Sequence, residues 1–170
     1  ILEIDGEQVH DARAGIGYVP QGRRLFGPLT VAENLQIGLM TRGKGSSTLD
    51  HVLTLFPRLR ERLQQQAGAL SGGEQQMCAI GRALMTRPKL IMIDELSLGL
   101  MPKIIDQCYS ALKLLRDEDM TVLLVEQNTE RALSVADDVC VLESGRTVWK
   151  GSAADARNDP SLTAAYLGLH

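Results

Sequence analysis

The stretch Leu70-Ser71-Gly72-Gly73-Glu74-Gln75-Gln76, followed by Leu90-Ile91-Met92-Ile93-Asp94-Glu95, constrains this chain more than any other feature. Ser71 and Glu74 stand in the S-x-x-E spacing of a capping box, and the residues after them predict a helix over Ser71–Thr86 that stops before Pro88. Two glycines in a first helical turn add no propensity and cost roughly 1 kcal/mol each. They make sense where something must approach the backbone closely. A helix start offers free N–H groups and the positive end of the dipole to an anion such as phosphate. Capping and anion binding are compatible readings of the same residues. The second stretch reads as a buried strand delivering two carboxylates at its end. Ligands of open α/β sheets bind beyond the carboxyl ends of strands, and adjacent acids there are costly to bury without cations or hydrogen-bond partners. Taken alone, they are equally an ordinary acidic turn after a core strand.

The rest of the chain supplies an α/β frame for this pair. Ile16–Val19 is a short strand stopped by Pro20. Residues 29–68 read as helical, opened by the capping-box spacing of Thr30 and Glu33, with a polar loop at 43–48 and a second apolar run over Leu49–Leu63 interrupted by Pro57. Pro102–Arg116 predicts a helix with Ile104, Ile105, Tyr109, Leu112 and Leu115 on one face, a stripe expected to be core. Thr121–Val125 is apolar throughout, as parallel strands covered on both sides tend to be. Asn128–Ala136 reads as a helix capped by Asn128, Ser144-Gly145-Arg146 as a hairpin turn between Val139–Leu142 and Thr147–Trp149, and 153–168 as a closing helix. The alternation predicts a largely parallel sheet. The expected organisation is a strand-rich segment at 1–21, an all-helical insertion at 22–68, an α/β core at 69–150 and a C-terminal helix at 151–170.

Composition excludes several classes of function. A formal net charge of −3 gives no bulk attraction to nucleic acid or an anionic membrane. No apolar run approaches the ~20 residues needed to cross a bilayer. The 3 cysteines, Cys78, Cys108 and Cys140, are scattered with no CxxC, which argues against a zinc site or a disulfide framework. Cys78 and Cys140 are expected as small core residues. His10, His51 and His170 form no metal pattern, and Arg58-Leu59-Arg60-Glu61-Arg62 reads as a solvated helical face. Gly38–Lys44 matches GxxxxGK, but Gly45 stands where a P-loop needs Ser or Thr, and no strand leads in. The opening Ile1-Leu2-Glu3-Ile4-Asp5-Gly6 has no Met and no signal-peptide pattern. The chain is therefore expected to be an N-terminally truncated fragment, and no true P-loop is read in it.

Two further polar positions follow strands. Gln21 comes after Val19-Pro20 and could orient a water or meet a metal. Glu126-Gln127-Asn128 follows Val125, where a neighbouring strand ends level with Asp94 and Glu95. Each is an ordinary turn when read alone.

Together these residues resemble the ATPase subunit of ABC transporters. Tyr18-Val19-Pro20-Gln21 resembles the family's glutamine loop, Leu70–Gln76 its signature motif, Leu90–Glu95 its Walker B strand and Ser97-Leu98-Gly99-Leu100 the loop that follows. Gln127 stands at the family's switch position, where histidine is usual. Pro20–Phe26, Leu55–Leu59, Ser97–Leu100, Val125–Asn128 and Ala165-Tyr166-Leu167-Gly168 are similar to the smaller ATPase subunit of branched-chain amino acid importers, and urea or amide importers use very similar subunits.

The resemblance implies a P-loop NTPase-like core with an all-helical insertion, and ATP and Mg²⁺ as ligands. It implies Glu95 as general base, Asp94 and Gln21 at Mg²⁺, and Gln21 and Gln127 as further catalytic groups. Ser71 and Gly73 would contact the γ-phosphate of ATP held by an opposite subunit, with Gly72, Glu74 and Gln75 counted with them as nucleotide-binding residues. The implied partners are transmembrane permease subunits, a second ATPase subunit in a homo- or heterodimer and, indirectly, an extracellular or periplasmic solute-binding protein, with no nucleic acid. The implied location is the cytoplasmic face of the membrane, with the insertion docked on a coupling helix. Leu96 replaces a proline common after the Walker B acids, and its absence is expected to loosen that turn by a few tenths to ~1 kcal/mol. Without a P-loop the chain as given is expected not to hydrolyse ATP. A soluble non-transport ABC ATPase and a degenerate, non-catalytic cassette are the rival readings.

Overall fold

The computed structural model describes residues 3, 4, 7, 8, 15–40 and 46–162. The chain divides into two compact units, Ile1–Val125 and Glu126–His170. His10, His170, residues 41–45 and Ala165–Gly168 lie outside the described residues.

In the first unit, β1 (Glu3–Ile4) and β2 (Glu7–Gln8) pair antiparallel. Three parallel strands then make a sheet in the order β3-β4-β5: β3 (Ile16–Val19), β4 (Leu90–Asp94) and β5 (Thr121–Val125). Ile16 lies opposite Leu90, and Leu90 opposite Thr121, so the strands start level; Val19 pairs with Ile93, and Asp94 with Val125, so they also end level. Val19, Ile91 and Ile93 are at most 1% exposed. Burying a side chain of this size stabilises by roughly 1.5–3 kcal/mol. On β5 the alternation runs differently. Leu123 and Val125 are 47% and 55% exposed. The apolar run therefore does not mean cover on both faces among the described residues.

Between β3 and β4 the chain builds the helical insertion. It comprises α1 (Val31–Leu39), α2 (Ser46–Leu55), α3 (Pro57–Glu61) and a 3₁₀ turn (Ala67–Ala69), leading to α4 (Gly72–Leu84). Of the polar loop expected at 43–48, Ser46, Ser47 and Thr48 instead open α2, and residues 43–45 lie outside the described residues. Pro57 separates α2 from α3 and takes the first position of α3, where its missing N–H costs nothing. Leu59 is fully buried beneath exposed Arg58, Arg60 and Glu61, so the charged run is a solvated face over a core anchor.

Glycine lets these helices close. A Cβ at Gly38 would lie 2.3 Å from the Arg82 carbonyl oxygen, so α1 meets α4 at backbone distance. Gly38 heads the GxxxxGK look-alike, and it is a packing residue inside a helix, with no strand before it. Helix α5 (Pro102–Asp117) joins β4 to β5 and buries Ile105, Tyr109, Leu112 and Leu115 of the expected stripe together with Cys108, while Ile104 is only partly buried.

The second unit contains α6 (Thr129–Leu133), β6 (Asp138–Glu143), β7 (Arg146–Ser152), α7 (Ala153–Asn158) and α8 (Pro160–Leu162). The β6–β7 hairpin turns on Ser144 and Gly145, with φ of 50° and 76°, as a two-residue turn of this hand requires. Leu133, Ala153, Ala156 and Leu162 form its small core, with Val139, Val141 and Trp149 packed against them. Helix α6 is shorter than the sequence reading, though Asn128 caps it by accepting from the Arg131 N–H at 3.0 Å. The single closing helix is also corrected. Asp159 and Pro160 divide it, because Asp159 accepts from the Ser161 N–H at 2.8 Å and caps a new turn. Cys140 lies exposed on the hairpin and is not a core residue, whereas Cys78 and Cys108 are buried.

Candidate functional site

The level ends of β3 and β4 bring Gln21 and Glu95 together. Pro20 cannot continue the β3 ladder, and the chain turns outward at Gln21. Gln21 Nε2 donates to Glu95 Oε2 at 2.8 Å. Asp94, the last residue of β4, is half-buried beside them. Glu95 has φ of 51°, and its N–H donates to the Val125 carbonyl oxygen at 2.9 Å, so the acidic turn is tied to the end of β5. The left-handed region costs a non-glycine residue about 1–2 kcal/mol, and such strain gathers at functional sites. Leu96 is fully buried and anchors this turn. A residue before proline is driven into extended backbone, so leucine at 96 permits the conformation that Glu95 adopts here.

The first turn of α4 forms the second cluster. Ser71 Oγ accepts from the Glu74 N–H at 3.3 Å, and Glu74 Oε2 accepts from the Ser71 N–H at 3.0 Å and from the Ser71 hydroxyl at 2.8 Å. The capping box is therefore formed in full. Partial burial pushes the Glu74 carboxyl up, but the two bonds from Ser71 and the Arg62 and Arg58 guanidinia outweigh it and hold it below its ordinary value. Both glycines are crowded. A Cβ at Gly73 would lie 2.5 Å from Ile104 Cγ2 of α5, and one at Gly72 3.3 Å from Arg23 Nη1. What approaches the backbone closely in this structure is a neighbouring helix and a guanidinium.

Residues without an assigned role in the sequence reading join the two clusters. Arg23 donates through Nε to Gln76 Oε1 and through Nη1 to Gln75 Oε1, each at 3.2 Å. Arg82 Nη2 donates to the Arg24 carbonyl oxygen at 2.9 Å and to that of Arg23 at 3.3 Å. Asn34, fully buried, accepts from the Phe26 N–H and donates to the Phe26 carbonyl, each at 3.0 Å. The signals for these residues were an amide at a core position of α1 and an arginine among apolar positions of α4. Neither names its partner.

Gln127 lies exposed in the second unit, between the end of β5 and the Asn128 cap. Among the described residues no group of three or more His, Cys, Asp or Glu gathers as a metal cage. Asp94, at the end of β4, and the side-chain amide of Gln21 each carry oxygen donors of the kind Mg²⁺ takes while keeping most of its waters.

Comparison with known proteins gives this arrangement a context. Residues 2–97 match the family described as ABC transporter. The high-affinity branched-chain amino acid transport ATP-binding protein BraG of Pseudomonas aeruginosa is 52% identical over 158 residues, covering 92% of this chain and 68% of BraG. The crystal structure of a nucleotide-free ATP-binding cassette from an ABC transporter is similar with a TM-score of 0.75 and 26% identity, covering 91% of this chain and 69% of that one. A dimeric bacterial ABC transporter cassette is similar with a TM-score of 0.74 and 27% identity, covering 83% and 64%. A match over more than half of the sequence and a relative of this identity decide the matter: the chain belongs to the ABC transporter family, as an ATPase domain.

Proposed function

We propose that this chain is the ATP-binding and hydrolysing subunit of an importer for branched-chain amino acids, in which two cassettes close around ATP and drive solute uptake. The observation that carries the reading is the 2.8 Å bond between Gln21 and Glu95 beyond the level carboxyl ends of β3 and β4. Ligands of such sheets bind there. The likeness to BraG supports the solute class, and the dimeric cassette supports assembly in pairs.

Phosphoryl transfer needs positioning and charge stabilisation more than covalent chemistry. Glu95 is the base that takes a proton from the attacking water. Gln21 holds the Glu95 carboxylate through its amide N–H and keeps its oxygen as an acceptor. Asp94 and that amide oxygen would hold Mg²⁺, which when bound offsets negative charge on the phosphate oxygens. Gly72 and Gly73 offer the N–H groups of the α4 start to a phosphate, and Ser71, whose N–H and hydroxyl are held by Glu74 here, meets it through its hydroxyl, with Glu74 and Gln75 shaping that turn. Gln127 is the switch group.

No helix among the described residues is long and apolar enough to cross a membrane, so attachment goes through permease subunits on the cytoplasmic side. A solute-binding protein acts upstream of them. The sequence has no GxxxxGK followed by Ser or Thr, so the 170 residues alone are not expected to turn over Mg·ATP. The test is turnover by the assembled transporter carrying Glu95→Gln. Loss of about 100-fold or more is expected of a removed general base, together with ATP-trapped cassette pairs. Unchanged turnover refutes the assignment.

A further inference from the structure

We infer that Arg23 and Arg82 act as a latch that fixes the loop after Gln21 onto α4, so that the hold of Gln21 on Glu95 and the glycine-led helix start are positioned together. The inference rests on the functional reading above and deepens it.

At its far end the loop is tied through the Gly27 carbonyl, which accepts from the Gly68 N–H at 2.9 Å; its first residues depend on side chains. Gly22, Arg23 and Arg24 all lie in the left-handed region, with φ of 76°, 66° and 44°. Two turn bonds run within these residues, from the Arg23 N–H to the Pro20 carbonyl at 3.1 Å and from the Arg24 N–H to the Gly22 carbonyl at 2.7 Å. A run of this kind persists only where its surroundings over-determine it. Here they do so from both sides. Arg82, on α4, places one guanidinium nitrogen on two successive loop carbonyls, and its guanidinium carbon stands 5.6 Å from the centre of the Phe26 ring. Arg23 reaches the other way, from the loop to the side-chain oxygens of Gln75 and Gln76, and Gln76 is only 4% exposed. Asn34 then fastens Phe26 to α1 at the far end.

The two arginines use the guanidinium differently: Arg23 meets two acceptors with two nitrogens of its planar fork, and Arg82 meets two carbonyls with one nitrogen while its guanidinium lies over the Phe26 ring. The Arg23 guanidinium also lies against Gly72 at the positive end of α4, which the helix dipole opposes. A phosphate at the same helix start relieves that opposition and tightens the latch. Arg23 and Arg82 are positioning residues on this account.

The test is amide hydrogen exchange on the full chain, with Mg·ATP kinetics on the assembled transporter. Arg82→Met and Arg23→Met should each speed exchange at residues 22–27, and at Glu74 and Gln75, by about tenfold, the scale of a lost charge-assisted bond. Amides of β4 and α5 should keep their rates, and Arg82→Lys should restore part of the protection. In the transporter, kcat should fall about tenfold for either Met variant, with KM for Mg·ATP within about twofold. Unchanged exchange at 22–27 overturns the latch. So does an equal rise through α1, α4 and β4, which marks a brace for the whole fold. If the exchange pattern appears as expected but the unaltered transporter hydrolyses no ATP, the functional reading fails and the mechanical tie stands.

Discussion

At the start of α1, Thr30 Oγ1 accepts from the Glu33 N–H at 3.2 Å, and Glu33 Oε2 accepts from the Thr30 N–H at 2.7 Å; at the start of α4 the same two bonds, between Ser71 and Glu74, measure 3.3 and 3.0 Å. The caps are equivalent, yet the residues between them are Val31-Ala32 in one helix and Gly72-Gly73 in the other. Val31 is fully buried and fills its own space. At α4 the corresponding space is taken by Arg23 and Ile104, which come from elsewhere in the chain. Capping is thus a local device that either helix can use. The glycines answer to tertiary neighbours, so the motif that looks like a helix signal is equally a contact signal.

The largest effect should come from filling that space. Gly73→Ala drives a Cβ into Ile104 and should cost about 1–3 kcal/mol in urea unfolding, most of it recovered in the Gly73→Ala, Ile104→Ala double variant. The reverse exchange in α1, Ala32→Gly, should cost about 0.5–1 kcal/mol through backbone entropy alone. A harmless Gly73→Ala would break the contrast between the helices.

Next in size are the caps. Thr30→Ala and Ser71→Ala should each cost about 1 kcal/mol of stability. Only Ser71→Ala should also lower Mg·ATP turnover in the assembled transporter. Equal kinetic effects would show that α4 has no role beyond the one α1 has.

The pH dependence should be shared. The backbone N–H and then the hydroxyl of Thr30 hold Glu33 below its ordinary 4.5, and Glu74 is held below the same value. Each group is depressed on folding, so the folded chain binds fewer protons than the unfolded one below that value. The associated stability is present above about pH 4.5 and is lost as pH falls through the folded values. Denaturation midpoints measured downward in pH should fall through this window, and each Ala cap variant should flatten the slope.

The smallest effect is a thiol reaction. Burial pushes Cys78, inside α4, up to about 11 and Cys108 up to about 12, while Cys140 is exposed. A thiol reagent near neutral pH should label Cys140 quickly and the other two only on opening. Ser71→Ala should speed Cys78 labelling by a few-fold, and Thr30→Ala should do so less, because Cys78 reports directly on α4.

Much of the fold was legible before any coordinates. The strand at Ile16–Val19, the strand at Thr121–Val125 and both capping boxes stand where turn chemistry and apolar spacing put them. The errors share a cause. The exposed face of β5, exposed Cys140 and the break at Asp159-Pro160 all depend on what lies next to a residue in space or on a competing local cap. Apolar spacing cannot report cover. Of the candidate site, Asp94 and Glu95 were visible as acids after a buried strand, and Gln21 as an amide after another. Their meeting is a matter of register.

The order of elements, the helix starts and the identity of the polar groups at strand ends follow from the sequence itself, because capping, turn and periodicity preferences act over a few residues. The bond from Gln21 to Glu95 spans 74 positions, and the ties of Arg23 and Arg82 span 52 to 59. Such contacts exist only once the parallel sheet has brought β3 and β4 level and α4 has packed beneath the loop. The tertiary structure alone decided that Gly72 and Gly73 lie against a guanidinium and an isoleucine, since those neighbours are set by packing and not by the four residues that cap the helix.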